Sequence, residues 1–401
     1  MKSGANLLLV FGRSALFAAA MASASCAVMA APVRPTDDEL VLATLPAARA
    51  NAGPELQAAE TALARDPQNP DLAVRVAGLA IEQGRTRSDP RRYGRAQAAL
   101  APWWDDPDPP ERVRVLRAVI LQASHDFGAA LADLDAILVR SPRNAQARLT
   151  RAFVRLVVGD VAGAAEDCRS LPASAGPLPA AACMARVDHL TGAAPQAAAR
   201  LKGLLAGDAK ANDAMRRFAY AILADLAMSQ GQDSEAEGYY REAMAAGSTD
   251  VPLLARYADL LLDARRAGEA LAQLDGKGDA DVLMLRRAIA AKRLGDPQLA
   301  GWAAILNERF AAAKAGGVRV HLREEARFRL DVEGDAAAAL GLAAQNWAVQ
   351  KEPEDARLLL ECALAAKDPG AAADAIRFVR SLGLSDMRLE PLIARIEAED
   401  K

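Results

Sequence analysis

Residues 217–250 read RFAYAILADLAMSQGQDSEAEGYYREAMAAGSTD. Two helix-forming stretches flank Gly231, and small residues recur at set distances: Ala224, Gly231 seven residues on, and Ala236 five further, with Tyr240 and Ala243 behind. Two helices packed closely as a hairpin need small side chains where their axes approach. A Gly between them ends the first helix in the left-handed conformation that other residues resist. The stretch predicts a helix hairpin.

The same phrase returns along the chain as Ala77…Gly84, Ala152…Gly159…Ala164, Ala185…Gly192…Ala197 and Ala288…Gly295…Ala300. Ala118…Ala130 and Ala258…Ala270 keep the small residues but replace the Gly, while Gly334…Ala339 carries Arg327 in its first slot. Repeat starts at 111, 145, 178, 217, 251, 281, 320 and 355 give intervals of 34, 33, 39, 34, 30, 39 and 35. A fixed period of this size is the signature of stacked repeats, each hairpin covering the apolar face its neighbour leaves open.

These small positions resemble those of the tetratricopeptide repeat family, whose repeat is about 34 residues long. The resemblance covers roughly residues 70–385 and implies an all-α fold, a right-handed solenoid of antiparallel helix hairpins. Residues 31–69 read as a degraded first hairpin and linker, and residues 386–401, with "DMRLEPLIARIEAE", as a capping helix. Composition agrees: apolar residues make up 52% of the 401, aromatics 4%, and strand formers never cluster in alternating runs.

Residues 1–30 read as a secretory leader. Lys2 precedes apolar stretches, and Val28 and Ala30 place small residues before a cleavage point in "AVMA|APVRP". Arg13 interrupts the apolar run, which disfavours a membrane-spanning helix. A lipoprotein through Cys26 fits less well, because Ser23 stands where Leu is expected. The expected location is periplasmic or secreted. Formal net charge is −3; with no basic stripe, that balance argues against nucleic acid as a partner.

Two stretches imitate catalytic motifs. Ser124-His125-Asp126 and the overlapping Asp126-Phe127-Gly128 fall at the turn of the repeat starting at 111. A triad needs its members to converge from separate parts of a fold, and a kinase needs loops that are not present. "HLREE" at 321–325 lacks a second histidine, and "DGKGDAD" at 275–281 lacks alternating calcium ligands. The three histidines, 125, 189 and 321, stand in separate repeats. No catalytic, cofactor or metal site is expected. Trp103 and Trp104 in "APWWDDPDPP" read either as packing that closes an inter-repeat gap or as a contact surface.

Beyond the leader, Cys168 and Cys183 fall on neighbouring helices, and Cys362 reads as a buried residue in a small slot. In an exported chain the first two are expected to form a disulfide in preference to two buried thiols. The run around them is similar to a group of exported proteobacterial repeat proteins.

The family resemblance further implies that first helices line a concave groove. Its inward positions carry over to Gln122, Gln146, Phe153, Arg186, His189, Asp225, Asp259, Asp263, Lys292, Arg293, Glu324, Phe328 and Asp331. The groove divides into an apolar start, an acidic middle (Asp225, Asp259, Asp263) and a basic segment (Lys292, Arg293). Such a surface suits an extended peptide or helix. The expected function is an exported scaffold holding a protein or peptide partner, with envelope and membrane proteins among the candidates. The alternative is an envelope-assembly or polysaccharide-secretion component that binds machinery or glycan.

Overall fold

The computed structural model describes residues 53–172, 175–208, 211–245, 250–315 and 321–399. The expected leader, its cleavage point at Ala30, Cys26 and residues 31–52 lie outside the described residues. Among the described residues every regular element is helical. Helix α1 (Pro54–Arg65) precedes nine hairpins. They are α2 (Pro70–Arg87) with α3 (Pro90–Ala99), α4 (Glu111–Ala123) with α5 (Phe127–Arg140), and α6 (Ala145–Val158) with α7 (Val161–Arg169). Next come α8 (Pro177–Leu190) with α9 (Ala194–Gly207), α10 (Asp213–Ser229) with α11 (Asp233–Met244), and α12 (Val251–Asp263) with α13 (Ala267–Leu274). The last three are α14 (Asp281–Leu294) with α15 (Leu299–Ala315), α16 (Leu322–Arg327) with α17 (Ala336–Trp347), and α18 (Pro353–Ala366) with α19 (Ala373–Leu382). Helix α20 (Glu390–Glu399) follows.

Local chemistry sets the boundaries. The side chains of Asn69, Asp126, Asn144, Asp160, Asn212, Asp250 and Asp335 accept backbone N–H groups of the helices they start. Each such cap contributes about 1 kcal/mol. The seven-residue spacing ends each first helix on a positive φ: Gly159, Gly192, Gly231 and Gly295 all do so. Where the Gly is replaced, His125 and Arg265 are forced into the same conformation, at φ 60°. The small slots are the hairpin crossings, since Ala118, Ala152, Ala185, Ala224, Ala258 and Ala288 are fully buried. So are their partners Ala130, Ala164, Ala197, Ala236 and Ala270.

The structure corrects the repeat register at four places. Helix α2 runs past Gly84 to Arg87, and Ser88 takes the left-handed turn (φ 48°). Gly84 instead permits close approach, because a Cβ there would come within 2.9 Å of the Tyr93 ring. In the repeat starting at 320 the buried small residue is Ala326, not position 327, so eight residues separate it from Gly334. The extra residue is absorbed by a π-helical segment, Phe328–Glu333, that continues α16; such one-residue bulges rotate the side chains around them. In the last hairpin the left-handed residue is Lys367 (φ 57°), which places Leu360 rather than Cys362 in the crossing slot. Finally, Ala300 is exposed, and α15 buries Leu306 and Phe310 instead.

First helices α2, α4, α6, α8 and α10 stack in one run, and α12, α14, α16 and α18 in another. The runs fold back on each other. Arg85 bonds Asp250, 165 residues away, Arg186 bonds Glu352 across 166, and Gln350 meets His125 across 225. At about 35 residues per repeat, one superhelical turn takes roughly five to six hairpins and then touches itself. Backbone bonds fix the contact: Lys351 N–H to the Val157 carbonyl at 2.7 Å and Met387 N–H to the Ser229 carbonyl at 2.9 Å. The largest core cluster spans this seam, joining Ala152, Leu156, Cys168, Cys183 and Val187 to Trp347, Leu359, Val379, Ile393 and Ile396. The Cys168 and Cys183 sulfurs lie at disulfide distance there, with Cα atoms 5.5 Å apart.

Candidate functional site

Where the superhelix folds back on itself, its concave face narrows but stays partly open to solvent. What remains is a chamber of about 280 Å³. It is bounded by α10, α12, α14, α16 and α18, by Ser88 at the end of α2, and by Arg388 before α20. Seven carboxylates (Asp225, Asp259, Asp263, Glu324, Glu352, Glu354 and Glu361) and six guanidiniums (Arg256, Arg286, Arg323, Arg327, Arg357 and Arg388) line it. Met228, Pro252, Ala255, Val282 and Leu358 supply its apolar wall.

The charges pair across repeats. Asp259 accepts Arg286 Nη2 at 2.7 Å and Arg327 Nη1 at 2.8 Å. Arg357 holds Asp263 bidentately at 2.5 and 2.9 Å and donates to Glu361 at 2.8 Å. Arg323 joins Asp355 (2.6 Å) to Glu352 (2.7 Å), and Arg186 reaches Glu352 at 3.1 Å and Asp225 at 3.4 Å. Asp225 also accepts Arg256 at 2.6 Å and the Tyr240 hydroxyl at 3.3 Å. Burial alone would raise the Asp259 carboxyl, but Arg286 and Arg327 outweigh it and hold it well below the usual carboxylate range. Glu354 is likewise held down, by Arg388 and Arg256 against burial. These carboxylates hold charge; they are not poised to exchange protons near neutrality.

Of the residues singled out from the sequence, Asp225, Asp259, Asp263 and Glu324 line the chamber. Arg186 and His189 border a small void beside it with Glu352. His189 is buried with no hydrogen bond to Nε2, and burial lowers its pKa. Phe153 lies elsewhere, edge-on to Phe218 at 5.9 Å. Lys292 and Arg293 are exposed at the end of α14, where Arg293 donates to the Leu262 carbonyl. The expected basic segment is therefore not part of the chamber. Its cations come from Arg256, Arg286, Arg323, Arg327, Arg357 and Arg388, which sequence reasoning missed.

The catalytic-looking turn is structural. Asp126 caps α5 through Ala129 N–H, and His125 stacks on Phe127 with ring centroids 5.4 Å apart. Trp103 and Trp104 are half-buried against the N-terminal core, with their carbonyls held by Arg117 at 3.2 and 2.7 Å. Trp302 packs on the core between α10 and α15. Cys362 is buried, and burial pushes its thiol up to about 12. Among the described residues no group of three His, Cys, Asp or Glu is placed to hold a metal. No described helix is long and apolar enough to cross a membrane.

No protein-family model matches the chain, and no curated protein matches it. Among solved structures, it is similar to the APC/C hetero-tetramer Cut9-Hcn1 (13% identity, TM-score 0.49), covering 86% of this chain and 66% of that one, slightly under two thirds. The Rap protein complexed with Competence and Sporulation Factor is 14% identical (TM-score 0.48; 86% and 92% covered). A tetratricopeptide repeat protein from Parabacteroides merdae ATCC 43184 is 16% identical (TM-score 0.37; 71% and 98% covered). The hairpin order, the buried small slots and the left-handed turns carry the assignment on their own: the fold is a tetratricopeptide-repeat solenoid.

Proposed function

We propose that this chain is an exported, non-catalytic binding protein whose ligand is a short peptide or an exposed end of a protein, received in the inner chamber. The observation that carries this is the chamber itself: a walled space where apolar surface and fixed charges converge, as in ligand sites generally. Its volume sets the scale. An α-helix is about 10–12 Å across with side chains, so the chamber suits one or two residues rather than a helix laid along a groove. Export is supported by the leader reading of residues 1–30 and by the Cys168–Cys183 pair, which suits an oxidising compartment.

The test is capture from a crosslinked envelope extract by the wild-type chain and by Val282→Trp, which fills the chamber from its wall. Asp259 and Asp263 are unsuitable for this purpose, because reversing them breaks ion pairs that join repeats. Loss of one defined partner with an unchanged thermal midpoint supports the reading. Equal capture by both forms places binding outside the chamber and sinks it. N-terminal sequencing of the protein recovered from the envelope tests export: a start at Ala31 is expected, and an intact leader refutes it.

A further inference from the structure

Resting on the chamber as the ligand site, we infer that it selects a cation: an ammonium or guanidinium carried on an aliphatic stem. The lining carries more carboxylate than guanidinium charge. Each of the six lining guanidiniums is already engaged by a carboxylate of the chain at 2.9 Å or less. Two of the seven carboxylates have no comparable partner. Glu324 makes no hydrogen bond or ion pair among the described residues. Glu354 has only a 3.4 Å contact to Arg388 Nη2, a group that donates to Asp386 at 2.6 Å. The Glu354 side chain remains 46% exposed, although it lines the chamber.

The groups behind the lining do not redress the balance. Arg186 adds one positive charge, whereas Asp331, Asp355 and Asp386, which partner Arg327, Arg323 and Arg388, add three negative ones. His125, whose field includes Glu324, is kept from charging by burial. An anion entering this space finds only the spare N–H groups of guanidiniums that already hold a carboxylate, and it meets the surplus negative charge of the lining. A cation can pair with Glu324 or with Glu354 and breaks no existing short pair. Met228, Pro252, Val282 and Leu358 then offer apolar contact to its stem.

The experiment is calorimetric titration of the purified chain with four probes. They are N-acetyl-lysine amide, 1,5-diaminopentane, N-acetyl-norleucine amide as the uncharged isostere, and N-acetyl-glutamate amide. The lysine amide or the diamine should bind at least about tenfold tighter than norleucine amide, a ratio that corresponds to about 1.4 kcal/mol. Preference for the lysine amide identifies a peptide side chain as the source of the cation; preference for the diamine identifies a free amine. Glu324→Gln alone should weaken the preference while leaving the thermal midpoint unchanged, since Glu324 anchors no ion pair, and adding Glu354→Gln should abolish the preference in a chain that circular dichroism still shows folded. Binding of the norleucine or glutamate probe as tight as the cations, blocked by Val282→Trp, overturns the cation inference and leaves the chamber as the site. No binding of any probe, with envelope capture still lost in Val282→Trp, overturns the same inference alone. No binding with unaltered capture overturns both readings.

Discussion

Asp259→Asn tests whether charge pairing between successive repeats holds the stack of α12, α14 and α16 together. Asp259 meets Arg286 Nε at 3.1 Å and Nη2 at 2.7 Å, and Arg327 Nη1 at 2.8 Å. Neutralising it leaves Arg286 with only the Val282 carbonyl at 3.1 Å and Arg327 with Asp331 at 3.3 Å. Removing one partner of a buried pair costs about 3–5 kcal/mol. Asp259 keeps 22% of its side chain exposed, and Asn retains an acceptor, so the expected loss is near the low end, about 3 kcal/mol. Arg327→Met leaves the Asp259–Arg286 pair intact and should cost less, with a coupling of at least about 1 kcal/mol between the two changes. Urea unfolding by circular dichroism, and by the fluorescence of Trp302 on α15, which packs against α14, measures both. The depressed folded-state pKa adds a sign: the stabilisation is present above the ordinary aspartate value of about 3.9 and is lost as pH falls below it. Asp259→Asn should therefore flatten the acid limb of stability against pH. A loss under about 1 kcal/mol with an unchanged acid limb would refute the claim that these pairs hold the stack.

Reducing the Cys168–Cys183 pair, which closes a loop 15 residues apart in sequence, should remove about 3 kcal/mol on the chain-entropy model. Thiol labelling of the unfolded, unreduced chain without its leader should count one cysteine, Cys362, and a count of three would exclude the bond. Arg265→Gly should stabilise by about 1 kcal/mol, because φ 60° costs an L-residue about that much, and no change in melting temperature would mean the turn is unstrained. Gly192→Ala should destabilise by more than about 2 kcal/mol, since the new Cβ strikes the Gly383 carbonyl across the seam; a smaller loss would show that the seam yields.

The hairpins were legible because one physical demand, small residues at a crossing with a left-handed turn seven residues later, repeats along the chain. What failed was the counting wherever an insertion intervened. In three repeats the residue after the crossing slot faces the chamber or the void beside it: Arg186, Asp225 and Asp259 follow Ala185, Ala224 and Ala258. With the π-segment counted, Arg327 follows Ala326; with the last repeat moved two residues, Glu361 follows Leu360. All five belong to the chamber network. The same position therefore held the signal for Arg327 and Glu361, hidden by a one-residue and a two-residue slip. Closure was not legible in this way. It depends on small rotations accumulated over five to six hairpins, and no local pattern reports that sum.

Closure also divides the work between two kinds of contact. Apolar burial along the seam, from Leu156 and Val187 to Leu359 and Val379, favours contact between turns without fixing where it falls. Ion pairs such as Arg186–Glu352 and Arg85–Asp250 add little net energy beyond their desolvation cost, but they penalise a shifted register. A superhelix that slid by one side chain would leave buried guanidiniums unpaired. The chamber thus stays open because its walls are charged: filling it with apolar side chains would strand those groups, and opening it would break the pairs. Glu324 stands outside that constraint. A ligand held there would use charge that closure does not need, so binding and the closed superhelix would not compete.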